Sequence, residues 1–110
     1  MIYESLKGKV YELSQDEFAT FTVQSVIVFG NQSQRNQIID EIKSGEDNLS
    51  YLSKNNKGHF VILKMLNSLD RDTLEHLFNK LNKQLHKKYN RYAKKIVGKL
   101  YNCFNNSRKH

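Results

Sequence analysis

The chain has no proline, five glycines and a single cysteine among its 110 residues. Proline and glycine punctuate turn-rich β folds, so their scarcity argues against a β-sandwich and suits long helical segments. Cys103, being alone, cannot close an internal disulfide, and a reducing compartment is the simplest home for such a chain. The N-x-S triplets starting at Asn31, Asn48 and Asn105 then read as chance products of an asparagine-rich composition. No apolar run approaches the roughly 20 residues needed to cross a bilayer. Met1-Ile2-Tyr3-Glu4 lacks the basic start and apolar stretch of a secretory signal, so the expectation is a protein that is not secreted.

Reactive constellations are equally scarce. There is no metal-ligand spacing, no phosphate-cradling glycine loop and no nucleophile motif. His76 and His86 stand ten residues apart with no cysteine or carboxylate constellation beside them. Asp70, Asp72 and Glu75 read as acids at a helix start, where the helix dipole favours them. Cys103 reads as a small hydrophobe. The chain is expected not to be an enzyme, and to hold no cofactor and no metal.

Acidic residues are few only in one half. Residues 1–55 carry five Lys/Arg and eight Asp/Glu, a balance of −3, whereas residues 56–110 carry thirteen and three, a balance of +10. A solubilising surface mixes its charges. A one-sided surface points to a polyanionic partner such as RNA, DNA or an anionic membrane.

What is present is helical periodicity. Ile2, Leu6, Val10 and Leu13 space a first helix over 2–13, and Ser14-Gln15-Asp16 breaks it and can cap the next segment. Residues 17–29 are rich in β-branched side chains, but their period-2 pattern fails at Gln24-Ser25-Val26. Phe18, Phe21, Ser25, Val28 and Phe29 suit one helical face instead, and Gly30 is placed as a C-cap. Asn31 or Ser33 can cap a helix to Lys43 with Ile38, Ile39 and Ile42 as its stripe. Residues 44–47 form a loop, and Leu49 and Leu52 suit a short helix. A dense apolar helix over 57–69 comes next. Asp70 or Asp72 then caps a helix striped by Leu74, Leu77, Phe78, Leu81 and Leu85. The last helix, 89–104, turns Tyr92, Ile96, Leu100 and Phe104 inward with Ala93, Val97 and Tyr101 beside them. Residues 105–110 are expected to be a frayed polar tail.

Three of these segments superimpose. Ala19-Thr20-Phe21-Thr22-Val23-Gln24, Gly58-His59-Phe60-Val61-Ile62-Leu63 and Ala93-Lys94-Lys95-Ile96-Val97-Gly98 each put a small residue after Phe18, Lys57 or Tyr92. The small residues lie 39 and 35 positions apart, and a recurrence of that period marks a stacked repeat protein. These segments resemble the Pumilio (PUF) repeat, whose inner helix opens on an aromatic-glycine pair followed by a variable, aromatic, aliphatic, aliphatic, polar run and a lysine. Asp16-Glu17-Phe18-Ala19-Thr20-Phe21-Thr22-Val23-Gln24 and Lys57-Gly58-His59-Phe60-Val61-Ile62-Leu63-Lys64 carry the likeness best. The run Gly30–Ile39 is similar to the family's link to the next repeat.

The resemblance implies an all-α helical-repeat solenoid of about three Pumilio-like repeats in one domain over 1–104, divided near 1–30, 31–69 and 70–104. It implies RNA as partner, with inner helices that each read one base. The edge-reading positions it implies are Thr20 and Gln24, His59 and Leu63, Lys94 and Gly98, and the stacking positions are Phe21, Phe60 and Lys95. Leu63 cannot hydrogen-bond a base and Gly98 has no side chain, so contact is expected to be led by phosphates, with low sequence specificity. The phosphate-facing set is Lys57, Lys64, Lys87, Lys88, Arg91, Lys94, Lys95 and Lys99. These departures, with the basic second half, are more similar to the divergent nucleolar Puf-A-like branch. That branch implies RNA or duplex nucleic acid, a role in ribosome assembly with ribosomal RNA and assembly proteins as partners, and the nucleus and nucleolus as location, with the cytoplasm as the other. A membrane surface is the weakest of the polyanion readings, because the last helix needs its apolar side for packing. The competing reading is a helical-repeat scaffold for protein partners on a ribosome or similar particle.

Overall fold

The computed structural model describes residues 8–45 and 47–108, with side chains to residue 105. Residues 2–7 of the expected first helix lie outside it. Among the described residues there are seven α-helices and one 3-10 turn: α1 (Val10–Ser14), α2 (Ala19–Phe29), α3 (Gln32–Lys43), α4 (Asn48–Ser53), α5 (Gly58–Met65) with the turn Leu66–Ser68, α6 (Arg71–Lys87) and α7 (Arg91–Arg108).

The order short, inner, long occurs twice, as α1–α2–α3 and α4–α5–α6, and α7 starts a third unit. This division falls one helix later than the cuts expected at 30/31 and 69/70. The inner helices lie side by side, α2 on α5 and α5 on α7, while α1 and α4 pack on α2 and α5 respectively. The molecule is an all-α repeat solenoid, with a core of Val23, Ile27, Ile38, Ile42, Leu52, Ile62, Leu77, Leu81, Ile96 and Leu100 running along the stack.

The register of 39 and 35 residues is written in polar bonds as well as apolar ones. Asp16 Oδ1 accepts from the N–H groups of Phe18 and Ala19 at 2.9 and 2.8 Å. Asn55 Oδ1 does the same for Lys57 and Gly58 at 2.9 and 2.7 Å. Asn90 Oδ1 does it for Tyr92 and Ala93, both at 2.9 Å. Each inner helix thus begins on an Asx cap, worth about 1 kcal/mol. The short helices repeat a device of their own. Ser14 and Ser53, both buried, donate to the carbonyls of Val10 and Leu49 four residues back.

The long helices start where the sequence indicates. Asn31 and Gln34 form a reciprocal capping box at α3, with the Gln34 N–H donating to Asn31 Oδ1 and the Asn31 N–H to Gln34 Oε1. Asp70 accepts from the Thr73 N–H at 2.9 Å at the start of α6. Gly30 ends α2, but in extended rather than left-handed backbone. It is needed for space, because a Cβ there would run into the Val26 carbonyl oxygen and approach Gln34 Oε1 to 3.0 Å.

Three expectations are corrected. The face of α2 bearing Phe18, Phe21, Ser25, Val28 and Phe29 points outward, and Thr20, Val23, Val26 and Ile27 are buried instead. α7 does not fray at 104 but runs to Arg108. Tyr101, expected beside the inward row, is 58% exposed. The first is common to the inner helices, since Phe60, Lys64, Asn67 and Ser68 stand exposed at the equivalent positions of α5, whereas Tyr101 has buried equivalents, Ile27 and Leu66, on helices that another inner helix follows.

Candidate nucleic-acid interface

The base-edge candidates are mostly spent on structure. Thr20 is buried, and its Oγ1 donates to the Lys57 carbonyl at 3.4 Å while accepting from Gln24 Nε2 at 3.3 Å. This bond joins α2 to the start of α5, so Thr20 is a tie between repeats rather than a base reader. Half-buried Gln24 keeps its carbonyl oxygen and one N–H, so it alone among the edge positions retains a donor and an acceptor.

His59 is also buried. Its Nδ1 lies 3.1 Å from the Asn55 carbonyl, which can only accept, so the neutral ring carries its proton there. The ring stacks on Tyr92 at 4.7 Å and 30°, and touches Phe60 at 4.1 Å. Burial pushes its pKa down and the Lys95 ammonium adds to this, against hydrogen bonds to the Asn55 and Asn56 backbone that pull it up. His59 is therefore a packing group linking α5 to α7, not a base reader.

The two aromatic candidates differ. Phe21 is 63% exposed on α2, open to a stacking base. Phe60 is 37% exposed, with His59 on it and Lys95 Nζ 5.4 Å from its ring centre. A base reaching Phe60 has to share the ring with Lys95 or displace it. Arg91 packs its guanidinium 5.1 Å from the Tyr92 ring centre and stays exposed.

The basic set does not form one stripe. Lys64, Lys95 and Lys99 converge on a cleft of about 640 Å³ between α5 and α7, floored by Leu63 and Leu66 and completed by Asn67, Asn102 and Cys103. Lys87 and Lys88 line another of about 360 Å³ with Lys54, Gln84, Tyr89 and Asn90. Lys94 lines a third with Asn82, Leu85, His86 and Tyr89. Lys94 and Lys95, neighbours in sequence, thus serve different sides of α7. Lys57 is half-buried.

The first cleft brings three lysines beside two amides that can donate to phosphate oxygens. Asn67 and Asn102 were not among the expected residues. Their signal was there: Lys64-Met65-Leu66-Asn67 and Lys99-Leu100-Tyr101-Asn102 repeat a Lys-x-x-Asn pair at the 35-residue register, and positions three apart share a helix face. No group of three or more His, Cys, Asp or Glu side chains is placed to hold a metal among the described residues.

The family model for the Pumilio-family RNA binding repeat matches residues 9–43 and 48–81, the two short–inner–long units in succession. No curated protein and no solved structure matches the chain.

Proposed function

This chain belongs to the Pumilio RNA-binding repeat family, and on that premise we propose that it binds single-stranded RNA by its phosphates, with little reading of sequence. The observation that carries this is the cleft of Lys64, Lys95 and Lys99 beside the Phe60 ring. The backbone of a strand crossing the inner helices meets three lysines there, while Phe21 offers one open face to a base. Low specificity follows from the edge positions: Thr20 and His59 are buried in ties between repeats, Leu63 is apolar and Gly98 bare. Gln24 is left as one edge reader, too few for a sequence code.

The setting we propose is a ribonucleoprotein particle, ribosomal RNA during assembly being the instance suggested by the likeness to the nucleolar branch. The test is binding to a single strand, its scrambled version and a duplex RNA across a salt series, with Lys95→Glu/Lys99→Glu beside Lys94→Glu. The expected result is equal affinity for the two single strands, weaker binding of the duplex and a steep salt slope, each phosphate contact contributing about 0.7. The double variant should flatten the slope more than Lys94→Glu. Absence of binding at low salt would overturn the proposal and leave a protein-binding scaffold.

A further inference from the structure

The two ends of the described stack are complementary, and we propose that a second copy of the chain adds head to tail, its α2 packing on α7 of the first. The same register position is buried in some units and open in others. Val61 of α5 and Ile96 of α7 are both wholly buried, and each of these helices has another inner helix before it. Thr22 holds that position in α2, where no inner helix precedes it among the described residues, and it is half-exposed. Phe29, 85% exposed, and Phe18, 79% exposed, add bulky apolar surface to α2 at positions that are exposed or half-buried in the other inner helices as well. A cleft of about 410 Å³ lies on this face, lined by Phe21, Thr22, Phe29 and the Gly30 turn.

At the opposite end no inner helix follows α7 among the described residues. Ile27 and Leu66 are buried, and their helices are followed by α5 and α7. Tyr101 is their equivalent in α7 and stands exposed, and Tyr89 is exposed two residues before that helix. Each end therefore shows the half of an inter-unit contact that the other end needs.

Charge favours the same partner over an unrelated one. Glu12, Asp16 and Glu17 flank the α2 end, and Lys88, Arg91 and Lys94 flank the α7 end, all six exposed. Juxtaposition of opposite charge steers and orients association. A contact between different faces of the same chain does not close on itself, so copies add in series. Each added copy also prolongs the row of inner helices.

The experiment is sedimentation of the full chain over a concentration series at low and high salt, with Phe29→Asp and Tyr101→Glu. Both side chains are exposed, so both variants should keep the wild-type helical circular dichroism. The wild type should grow in mass beyond a dimer, less so at high salt. Each variant alone should stay monomeric, since each has lost one end. An equimolar mixture of the two should form a one-to-one dimer that grows no further, because one competent contact is left. A wild type that is monomeric throughout, variants that associate like wild type, or a mixture that stays monomeric would each overturn the proposal. Phe21, Lys88, Arg91 and Lys94 serve both readings, so RNA affinity is measured on the monomeric Phe29→Asp and Tyr101→Glu variants, where association no longer bears on it.

Discussion

Asn90 Nδ2 donates to the Lys54 carbonyl at 3.1 Å, while the same side chain's oxygen caps α7. One amide thus starts an inner helix and ties it to the previous unit. Asn55 also joins a cap to a tie one unit earlier, but its Nδ2 donates to a side chain, Gln15 Oε1, at 3.4 Å. Asp16 has the cap oxygen without the amide. Replacing Asn90 should therefore separate the two roles. Asn90→Asp keeps the cap and loses the tie, at a cost of about 1 kcal/mol, and Asn90→Ala loses both, at about 2 kcal/mol. Urea denaturation of the two variants measures the difference, and equal losses would show that the cap contributes nothing.

Gly58 occupies the position held by Ala19 and Ala93, yet cannot itself be alanine. A Cβ there would lie 2.8 Å from Leu52 Cδ2 and 3.2 Å from the Leu52 carbonyl oxygen. Leu52 is fully buried, so its side chain has to shift within the core to make room. Alanine for glycine in a helix ordinarily stabilises, but Gly58→Ala should destabilise by about 1–3 kcal/mol. A thermal midpoint at or above wild type would refute the packing argument.

Arg35 is a basic residue spent on structure. Its Nε donates to the Ile27 carbonyl at 2.8 Å and its Nη2 to the Gly30 carbonyl at 3.0 Å, satisfying the end of α2. Lysine cannot reproduce the fork. Arg35→Lys should cost about 1–2 kcal/mol of stability and leave RNA affinity unchanged at a temperature where the chain stays folded.

His59 makes stability depend on pH. Its folded pKa lies below the ordinary 6.5, so the unfolded chain binds the proton more readily. Its contribution is whole above about 6.5 and is lost as pH falls from there toward the folded pKa. Asp16 and Asp70 have lowered pKa values through hydrogen bonds, from the Ala19 and Phe18 N–H groups and from Thr73, so their losses begin only near and below 3.8. The urea midpoint should fall between pH 6.5 and about 5 in wild type and stay level in His59→Phe. A wild-type midpoint level across that range would remove the imidazole from the account.

Phe21→Ala and Phe60→Ala should part company. Phe21 is exposed, so its removal should weaken RNA binding by about 1–3 kcal/mol with little change in stability. Phe60 packs on His59 and Lys95, so its removal should lower stability as well. Anisotropy titrations beside melting curves check both, and unchanged RNA affinity in Phe21→Ala would remove stacking from the account.

The site was only partly legible in the residues. The repeat register correctly brings Thr20, His59 and Lys94 to one position of the inner helices, because spacing along a helix is local geometry. It does not reveal that the first two are buried in contacts with the next unit. Burial there depends on how closely neighbouring helices approach. The basic set shows the same limit. Adjacent lysines on a helix point about 100° apart, so Lys94 and Lys95 go to different clefts. Only packing against α6 on one side and α5 on the other makes that division matter.

The amino-acid sequence by itself determined the helices, their caps and the repeat. Apolar period, Asx residues before small ones, and glycine at close approaches act within a few residues of chain. The all-α class and the Pumilio likeness could be read from these alone. The tertiary structure decided which face of α2 is buried, which polar groups are consumed as ties and which lysines share a cleft. Those outcomes rest on neighbours some 35 residues away in sequence.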